Sequence, residues 1–420
     1  MNFKKTMLVR GPALTQSGYG EHTRFVLRAM RRREDEFDIH ILPTVWGETG
    51  WLAIPDEERS WIDDCVKKAV KHLEAKLPYD ISVQVTIPNE WQRLAAINIG
   101  VTAGIETNKV SPGWIQQANQ VDRVVVVSDH AKRGFEAKYQ GQDQNGNLVN
   151  LECSKPINVV GYPVKSFDTE ELDLNLDYDF NYLAVAQWGP RKNMYNLIKW
   201  FVEENHDQEV GLIVKTSLKN NSAVDREYCE KMVNSAIPKI DDCKCKVYLL
   251  HGDLSEAQMH SVYQHPQVKV MVSLTHGEGF GLPLFEAAYS GMPVIAPGWS
   301  GQADFLYIPS ASKSKSRKKK AMFSEVDYTI GPVPDHSLWE GVIDKGMMWC
   351  FPEEGSFKLR MRQVRNNYEK SVKRAKTLQK WILEEYESDK MHEKLSTTIC
   401  PPPSKEAKEW LSQLSDIEII

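Results

Sequence analysis

The sequence has no long apolar run, few cysteines and no large surplus of charge of either sign. No stretch approaches the ~20 apolar residues that a membrane-spanning helix needs, so the sequence predicts no membrane span. The apolar run within the opening residues MNFKKTMLVRG is too short for a signal peptide. A formal net charge of -5 over 420 residues gives no chain-wide basic field, so binding to nucleic acid is not implied.

The cysteine content argues against a disulfide framework. The seven cysteines are scattered along the chain, and only Cys243 and Cys245 lie close together. A zinc site built from cysteine pairs would need a second pair, and none follows. We therefore expect reduced thiols and a cytoplasmic protein.

The alternation of short and long segments predicts an α/β fold. A chain of 420 residues with 41% hydrophobic content exceeds one ordinary core and favours two domains. Short β-branched runs alternate with helix-length segments, a pattern typical of parallel sheets covered by helices. In chain order the strand candidates are TMLVR, DIHILP, DISVQVTIP, INIGVTA, DRVVVVS, INVVGYP, NYLAVAQ, VGLIVKT, KVYLLHG, VKVMVSL and PVIAPG.

We expect two doubly wound, Rossmann-like domains that face a central cleft. The acidic, turn-rich stretch GYPVKSFDTEELDLNLDYDF ends the first domain, residues 1–165, and contains a linker at 166–180. The second domain spans residues 181–385. Residues 386–420 form a tail that could cross back to the first domain. The basic run SASKSKSRKKK, which includes Lys313 to Lys320, is interpreted as a solvated loop.

The segment THGEGFGLPLFEAAYSGMPVIAPGWSG, which begins at Thr275, predicts a ligand site. The preceding run VKVMVSL should place Thr275 at the carboxyl edge of a parallel sheet, where ligands of such sheets bind. Gly279 and Gly281 let the backbone turn tightly and approach a ligand. The amides of a helix that begins near Leu282 would then bind a phosphate or diphosphate.

Two glutamates bracket this turn. Glu278 precedes the helix and Glu286 lies about one turn inside it. One carboxylate could accept hydrogen bonds from a sugar beyond the phosphates, and the other from the ribose hydroxyls. The alternative is a surface carboxylate and a partner of the helix dipole, because acidic residues are common in a first helical turn.

The run HGEGFGLPLFEAAYSGMPVIAPGWSG resembles the donor-site signature of GT-B glycosyltransferases of family 4, in which two glutamates are separated by seven residues. The resemblance implies transfer of a sugar, with retention of configuration, from a UDP-, GDP- or ADP-sugar to an acceptor that the sequence does not identify. It also places Phe280 in the donor loop. His276 could touch the sugar or be a packed loop histidine.

The resemblance extends from about residue 7 to about residue 305, and it includes GIETNKVSPGWIQQANQVDRVVVVSDHAKRGFE, which resembles a subset of the family. GPALTQSGYGEHTRFVLRAM resembles the loop against the donor diphosphate, with Gly18, Tyr19 and Gly20 in that role, and its alternative is a structural turn. AVAQWGPRKNMYNLIKWF resembles the segment that carries a basic pair, Arg191 and Lys192.

The chain departs from the family at two places. Relatives carry a Gly-Arg upstream of the basic pair where this chain has Ala186 and Gln187, which leaves Arg191 and Lys215 to supply the charge. Many relatives carry a histidine near the transferred sugar where this chain has Glu106. We expect Glu106 to contact the acceptor or the sugar, or else to cap the helix that follows near Pro112.

The resemblance implies catalysis without a cofactor or metal. Arg191, Lys192 and the helix amides would stabilise the departing phosphate, and no D-x-D-like pair stands at a strand end. Three alternatives stay open, because fold does not fix function. They are a sugar-nucleotide epimerase, a phosphorylase, and a non-catalytic scaffold that binds nucleotide sugars.

Overall fold

The computed structural model describes residues 4–52, 55–142, 148–309 and 319–402. The strands in these ranges are β1 (Lys5–Gly11), β2 (Phe37–Pro43), β3 (Tyr79–Val85), β4 (Ala95–Thr102), β5 (Arg123–Val126), β6 (Tyr139–Gln142), β7 (Leu148–Leu151), β8 (Ile157–Val159), β9 (Asn181–Val185), β10 (Gly211–Lys215), β11 (Lys246–Leu250), β12 (Val268–Val272), β13 (Val294–Pro297), β14 (Tyr307–Pro309), β15 (Lys319–Ala321), β16 (Ser324–Val326), β17 (Tyr328–Pro332) and β18 (Met348–Pro352).

Helices connect most of these strands. They are α1 (Gly18–Arg31), α2 (Glu57–Glu74), α3 (Pro112–Ala118), α4 (Asp129–Phe135), α5 (Met194–Asn205), α6 (Ala223–Ala236), α7 (Glu256–Gln264), α8 (Leu282–Tyr289), α9 (Ala303–Leu306), α10 (Glu354–Asn366), α11 (Tyr368–Glu385) and α12 (Ser388–Ile399). Among these helices none has both the length and the apolar character that crossing a membrane requires.

Two six-stranded parallel sheets organise the chain. The first has the order β2-β1-β3-β4-β5-β8 and the second the order β11-β10-β9-β12-β13-β16. In the described ranges, three antiparallel pairs, β6-β7, β14-β15 and β17-β18, lie outside them. The α/β class is therefore confirmed, and every strand predicted from the sequence is present. The edge strand β16 and the antiparallel pairs were not predicted.

The second sheet carries a point where the strand order reverses, between β9 and β12. The interior strands of this sheet are almost wholly buried, because helices cover both faces. In open parallel sheets, ligands bind in the crevice outside the carboxyl ends of the strands at such a point. The segments that follow β9 and β12 hold the basic pair and the glycine-rich run.

Up to residue 402, where the description ends, the chain crosses twice between the two sheets. We call the part up to β8 the first half and the part from β9 to α11 the second half. The first crossover follows β8, and the second leads from α11 to α12, which packs on α1 of the first half. His392 meets Phe25 edge to face at 5.1 Å, and Arg33 donates a hydrogen bond to the carbonyl oxygen of Cys400. The segment 403–420 lies outside the described residues.

A shared aromatic core joins the two halves. The ring of Phe280 lies 5.1 Å from that of Tyr162 in the first crossover and 5.1 Å from that of Phe285 in α8. Tyr386, in the second crossover, meets Phe285 at 5.2 Å. Because the core continues from one half to the other, burial of apolar surface favours their close approach.

The segment between β17 and β18 extends from the second half onto the first. Ser111 donates a hydrogen bond to the carbonyl oxygen of Gly341 (2.9 Å), and the amide of Met348 donates to the side chain of Asn108 (2.9 Å). Val342 is buried in the core of the first half. The basic run ends in β15, but its residues 310–318 lie outside the described residues.

Candidate active site between the two sheets

The glycine-rich loop between β12 and α8 packs directly on the first half. A methyl group added to Gly277 would lie 2.4 Å from the carbonyl oxygen of Glu106, and one added to Gly279 would lie 2.5 Å from that of Ala103. Gly281 has φ +96°, which residues with side chains rarely adopt. The glycines therefore serve two needs, because they let the halves approach and let the chain turn into α8.

Helix α8 begins at the crevice of the second sheet. Gly281 is its N-cap residue, and Pro283 occupies the first turn, where a missing N–H costs little. A pocket at this point is lined by segments that follow β9 and β12 and by the start of α8, including Ala186, Lys192, Ser273, Glu278, Gly281 and Pro283. Binding of an anion by the first amides of α8, from Leu282 on, stays a prediction that rests on the general affinity of helix N-termini for anions.

Glu278 is buried between the two cations of the basic pair. Its carboxylate lies 3.1 Å from Nη1 of Arg191 and 2.5 Å from Nζ of Lys192, with 8% of the residue exposed. Burial alone would raise the pKa of Glu278, but Lys192 and Arg191 outweigh it and hold that pKa at about 2. Glu278 is therefore ionised at neutral pH. Its backbone amide donates to the hydroxyl of Ser300 (2.8 Å).

Arg191 connects the two halves. Its Nη2 lies 3.1 Å from Oε1 of Glu106, in the first half, while Nη1 donates to the carbonyl oxygen of Gly277 (2.6 Å). Burial would lower the pKa of Arg191, but Glu106 and Glu278 raise it above its usual value. Burial and the neighbouring Arg191 lower the pKa of Lys192. Two cations and two carboxylates thus form one compact cluster.

Glu106 does not cap the helix that follows it. The cap of α3 is Ser111, whose side chain accepts a hydrogen bond from the amide of Trp114 (3.3 Å). The structural alternative for Glu106 is therefore wrong, because a nearer hydroxyl already satisfies that amide. Its side chain instead faces Arg191 across the cleft.

Glu286 lies in α8 and its carboxylate accepts a hydrogen bond from the hydroxyl of Tyr263 (2.9 Å). Burial raises the pKa of Glu286 to about 7, although Lys165 and the Tyr263 hydroxyl partly offset that effect. The carboxyl group therefore changes its charge near neutral pH. It can accept hydrogen bonds from hydroxyl groups fully only in the ionised form.

Gly18, Tyr19 and Gly20 form the first turn of α1 rather than a loop before it. A methyl group added to Gly20 would lie 2.0 Å from the carbonyl oxygen of Thr15, whereas Gly18 has open space around it. The hydroxyl group of Tyr19 lies 2.8 Å from that of Thr102. Of the two glycines, only Gly20 has to lack a side chain for the protein to pack. The surface at Gly18 is open and could accommodate a ligand.

Three other predicted donor residues are held by the protein itself. The ring of His276 stacks on that of Trp349 (5.4 Å) and its Nδ1 lies 2.7 Å from the carbonyl oxygen of Cys350, so it is packed. Burial lowers the pKa of His276. The Phe280 ring belongs to the shared core. Lys215 donates from Nζ to the carbonyl oxygen of Gly252 (2.6 Å).

Two residues near the site were not singled out from the sequence. Ser300 has φ +69° and binds the amide of Glu278 through its hydroxyl. Lys165 lies beside the carboxylates of Glu21 and Glu256. The local sequence around Lys165 does not predict these partners, because both are distant in the chain.

Within the described ranges, one group of side chains could offer three metal ligands. It comprises Asp225, Cys229 and His251, whose donor atoms lie within 4.8 Å of one another. Asp225 already accepts hydrogen bonds from Nε2 of His251 (2.8 Å) and from the amides of Leu218 and Lys219. These bonds account for its buried carboxylate without an ion.

Comparisons with known proteins bear on the fold. No protein-family model matches the chain. The probable sucrose-phosphate synthase 5 of Oryza sativa subsp. japonica is 26% identical over 136 residues, which covers 30% of this chain and 13% of that protein. The chain therefore matches only a small part of this relative's length.

Solved structures match over nearly the whole chain. The sucrose-phosphate synthase of Thermosynechococcus elongatus has a TM-score of 0.61 at 12% identity, covering 98% of this chain and 99% of that one. The HepE protein of Anabaena, in complex with UDP and glucose, has a TM-score of 0.56 at 11% identity, covering 98% of this chain and all of that one. The predicted GT-B fold is confirmed by these likenesses.

Proposed function

We propose that this chain is a glycosyltransferase that moves a sugar from a nucleotide-diphosphate sugar to an acceptor. The observation that carries the proposal is the buried cluster of Arg191, Lys192 and Glu278 beside the start of α8. It lies at the carboxyl edge of the second sheet, where the strand order reverses. Cations and helix amides suit a diphosphate, and a buried carboxylate suits a sugar hydroxyl.

The proposed donor is a UDP-sugar. Structures of Anabaena HepE, which share this fold, hold UDP and glucose, UDP alone, or UDP-glucose. The site of this chain offers separate groups for each part of such a donor. The amides of α8, with Arg191 and Lys192, would take the diphosphate, Glu286 the ribose, and Glu278 the sugar.

Donor binding would rearrange the ion pairs of the cluster. A diphosphate carries more negative charge than one carboxylate, so it competes with Glu278 for Lys192 and Arg191. Glu278 is then released to accept hydrogen bonds from the hydroxyl groups of the sugar. Glu106, which belongs to the first half, would keep Arg191 oriented. The acceptor side of the cleft would then hold a fixed position relative to the donor.

The chemical step breaks the bond between the anomeric carbon and the phosphate oxygen. Positive charge then develops on the sugar ring and negative charge on the departing diphosphate. Arg191, Lys192 and the amides of α8 would stabilise that negative charge as it grows. Glu106 and Glu278 would stabilise the positive charge on the sugar, and Glu106 would orient the acceptor hydroxyl.

The finer parts of the proposal come from the resemblance of the segment that begins at Thr275. They are membership of family 4, transfer of a hexose, and retention of the anomeric configuration. Retention needs the acceptor to approach on the face that the diphosphate leaves, with a departing phosphate oxygen taking its proton. Because protein cations carry the diphosphate charge, the proposal includes turnover without a divalent metal.

The proposed compartment is the cytoplasm. The proposal rests on the seven cysteines, an odd number scattered along the chain, which is typical of proteins with reduced thiols.

The experiment that tests the proposal is a binding screen by calorimetry. UDP, GDP and ADP are each titrated into the protein, with the Glu278→Gln variant alongside, followed by their glucose conjugates. The proposal predicts that UDP binds best, and that Glu278→Gln weakens the preference for UDP-glucose over UDP. If no nucleoside diphosphate binds, the proposal is wrong.

A further inference from the structure

A second cation, the ammonium group of Lys165, also bridges the two halves. Nζ of Lys165 lies 2.7 Å from Oε1 of Glu21 and 2.6 Å from Oε1 of Glu256. Glu21 is in the first turn of α1, in the first half, and Glu256 is in the first turn of α7, in the second half. Lys165 thus joins one carboxylate from each half, and Glu21 also pairs with Arg28 (2.9 Å) and Arg24 (3.2 Å).

Lys165 occupies the hinge of the molecule. It lies in the first crossover, and the amide of its neighbour Val164 donates a hydrogen bond to the carbonyl oxygen of Tyr386, in the second crossover (2.9 Å). The two connections between the halves therefore meet at this point. A contact made here can fix the angle between the halves, because a small rotation at a hinge produces large displacements in the parts of each half that lie far from it.

The cluster is shielded from solvent at Lys165 and Glu21 but open at Glu256, whose side chain is 49% exposed. The side chains of Lys165 and Glu21 are 22% and 13% exposed. Burial would raise the pKa of Glu21, but Lys165, Arg28 and Arg24 outweigh it and hold that pKa at about 2. Because Arg28 and Arg24 still pair with Glu21 when the ammonium group is removed, the loss is that of the bridge to Glu256, which joins the halves at this point.

Lys165 also acts on the carboxylate proposed to hold the ribose. Burial is the main cause of the raised pKa of Glu286. Lys165 and the hydroxyl of Tyr263 lower that pKa, whereas the carboxylates of Glu256 and Glu21 raise it. Lys165 lowers the pKa of Glu286 and so favours its ionised form. Removing the ammonium group would leave Glu286 protonated to a higher pH.

We infer that Lys165 is a positioning residue that holds the two halves closed at the ribose side of the donor site, by binding Glu21 and Glu256 at once. The inference rests on the proposed function for the identity of that ligand. It assigns to the hinge lysine a role in donor binding, although its own contacts are to protein carboxylates.

A matched control exists elsewhere in the chain. Lys358 also binds two carboxylates, those of Glu203 (2.7 Å) and Glu354 (2.5 Å), and its side chain is 20% exposed. Both partners belong to the second half. Lys358→Met therefore removes the same kind of ion cluster as Lys165→Met without releasing a contact between the halves.

Small-angle scattering of the ligand-free protein tests the clamp directly. Lys165→Met should have a larger radius of gyration than the unaltered protein, whereas Lys358→Met should match it and Lys165→Arg should restore it. Equal radii for all four proteins would overturn the inference. If Lys165→Met does not fold, Glu256→Gln is measured instead, because it removes the partner of Lys165 in the second half. Its radius of gyration should also exceed that of the unaltered protein, and an equal radius would overturn the inference.

Titration with UDP tests the effect on the donor site. Lys165→Met should weaken UDP binding by about tenfold or more at neutral pH, the scale of losing one partner of a shielded charge pair. Part of the loss should be recovered at higher pH, as Glu286 ionises. Equal affinity, with an unchanged pH profile, would remove the donor-side role. Failure of the unaltered protein to bind UDP would instead overturn the proposed function, while scattering still decides the clamp.

Discussion

Glu106 and Arg191 form an ion pair across the cleft, with 3.1 Å between Oε1 of the glutamate and Nη2 of the arginine. The same guanidinium group binds Glu278 through Nη1. The donor-side carboxylate and the acceptor-side carboxylate are therefore linked through one cation. A change at either glutamate is expected to alter the position of Arg191, and with it the charge presented to a diphosphate.

Replacement of Glu106 by Gln should slow sugar transfer without unfolding the protein. Because a neutral amide neither holds Arg191 as strongly nor stabilises positive charge on the sugar, turnover should fall by about 10²-fold, the scale of a lost catalytic group. Glu48→Gln is the control, since Glu48 pairs with Lys219 between the halves (2.8 Å) in an exposed setting. An equal loss in both variants, or a loss matched by a lower melting temperature, would retire the catalytic role.

Replacement of Glu286 by Ala should weaken nucleotide binding. Loss of a charged hydrogen-bond partner of the ribose should cost about 1–3 kcal/mol in the free energy of UDP binding. Calorimetry on the nucleoside diphosphate and on the free base separates this effect from general damage, because the base has no ribose. Unchanged affinity for UDP would remove Glu286 from the site.

The raised pKa of Glu286 also predicts how stability changes with pH. That pKa is about 7 in the folded protein against an ordinary value of 4.5 for a glutamate, so between these values the folded chain keeps a proton that the unfolded chain has lost. Raising the pH through this window therefore lowers the free energy of unfolding. Denaturant titrations across the window should show a flatter dependence for Glu286→Gln, and an identical slope in both proteins would contradict the assignment.

Replacement of Lys192 by Ala should act mainly on turnover. The charge on the leaving diphosphate grows in the transition state, so a cation beside it stabilises that state more than the bound substrate. Steady-state kinetics should show a fall in kcat that exceeds any rise in KM. A variant with raised KM and unaltered kcat would show that Lys192 only helps the donor bind.

Chelation should leave the activity in place. The proposal assigns the diphosphate charge to Arg191, Lys192 and the start of α8 rather than to magnesium or manganese. Turnover measured in excess EDTA is therefore expected to equal turnover without it. Full loss of activity, restored by adding a divalent ion, would require a metal in the mechanism.

The sequence predicted the sheets well because their strands are buried on both faces. Runs such as NYLAVAQ and VKVMVSL are nearly continuous in apolar residues, and that pattern directly reflects burial. The short edge strand β16 and the antiparallel pair β17-β18 carry mixed residues, so their pairing depends on partners that a single sequence does not reveal. The same limit applies to the docking of residues 328–352 on the first half.

The candidate site was predictable where the motif is local. The glycines, Glu278 and the start of α8 occur within one short segment, and the structure brings Arg191, Lys192 and Glu106 to the same place. The packing of Phe280 in the core and the bond between Glu286 and Tyr263 depend on contacts distant in sequence. The pairing of Lys165 with Glu21 and Glu256 depends on distant contacts as well. The sequence also did not identify Ser111 as the cap of α3, and for that reason it left two roles open for Glu106.

Release of nucleoside diphosphate from a panel of UDP-, GDP- and ADP-sugars tests the central claim most directly. The protein should release UDP from at least one UDP-sugar, slowly with water alone and faster with an acceptor. Glu278→Gln should abolish the release while UDP still binds. No release from any nucleotide sugar by a folded protein, or equal release by Glu278→Gln, would contradict the account.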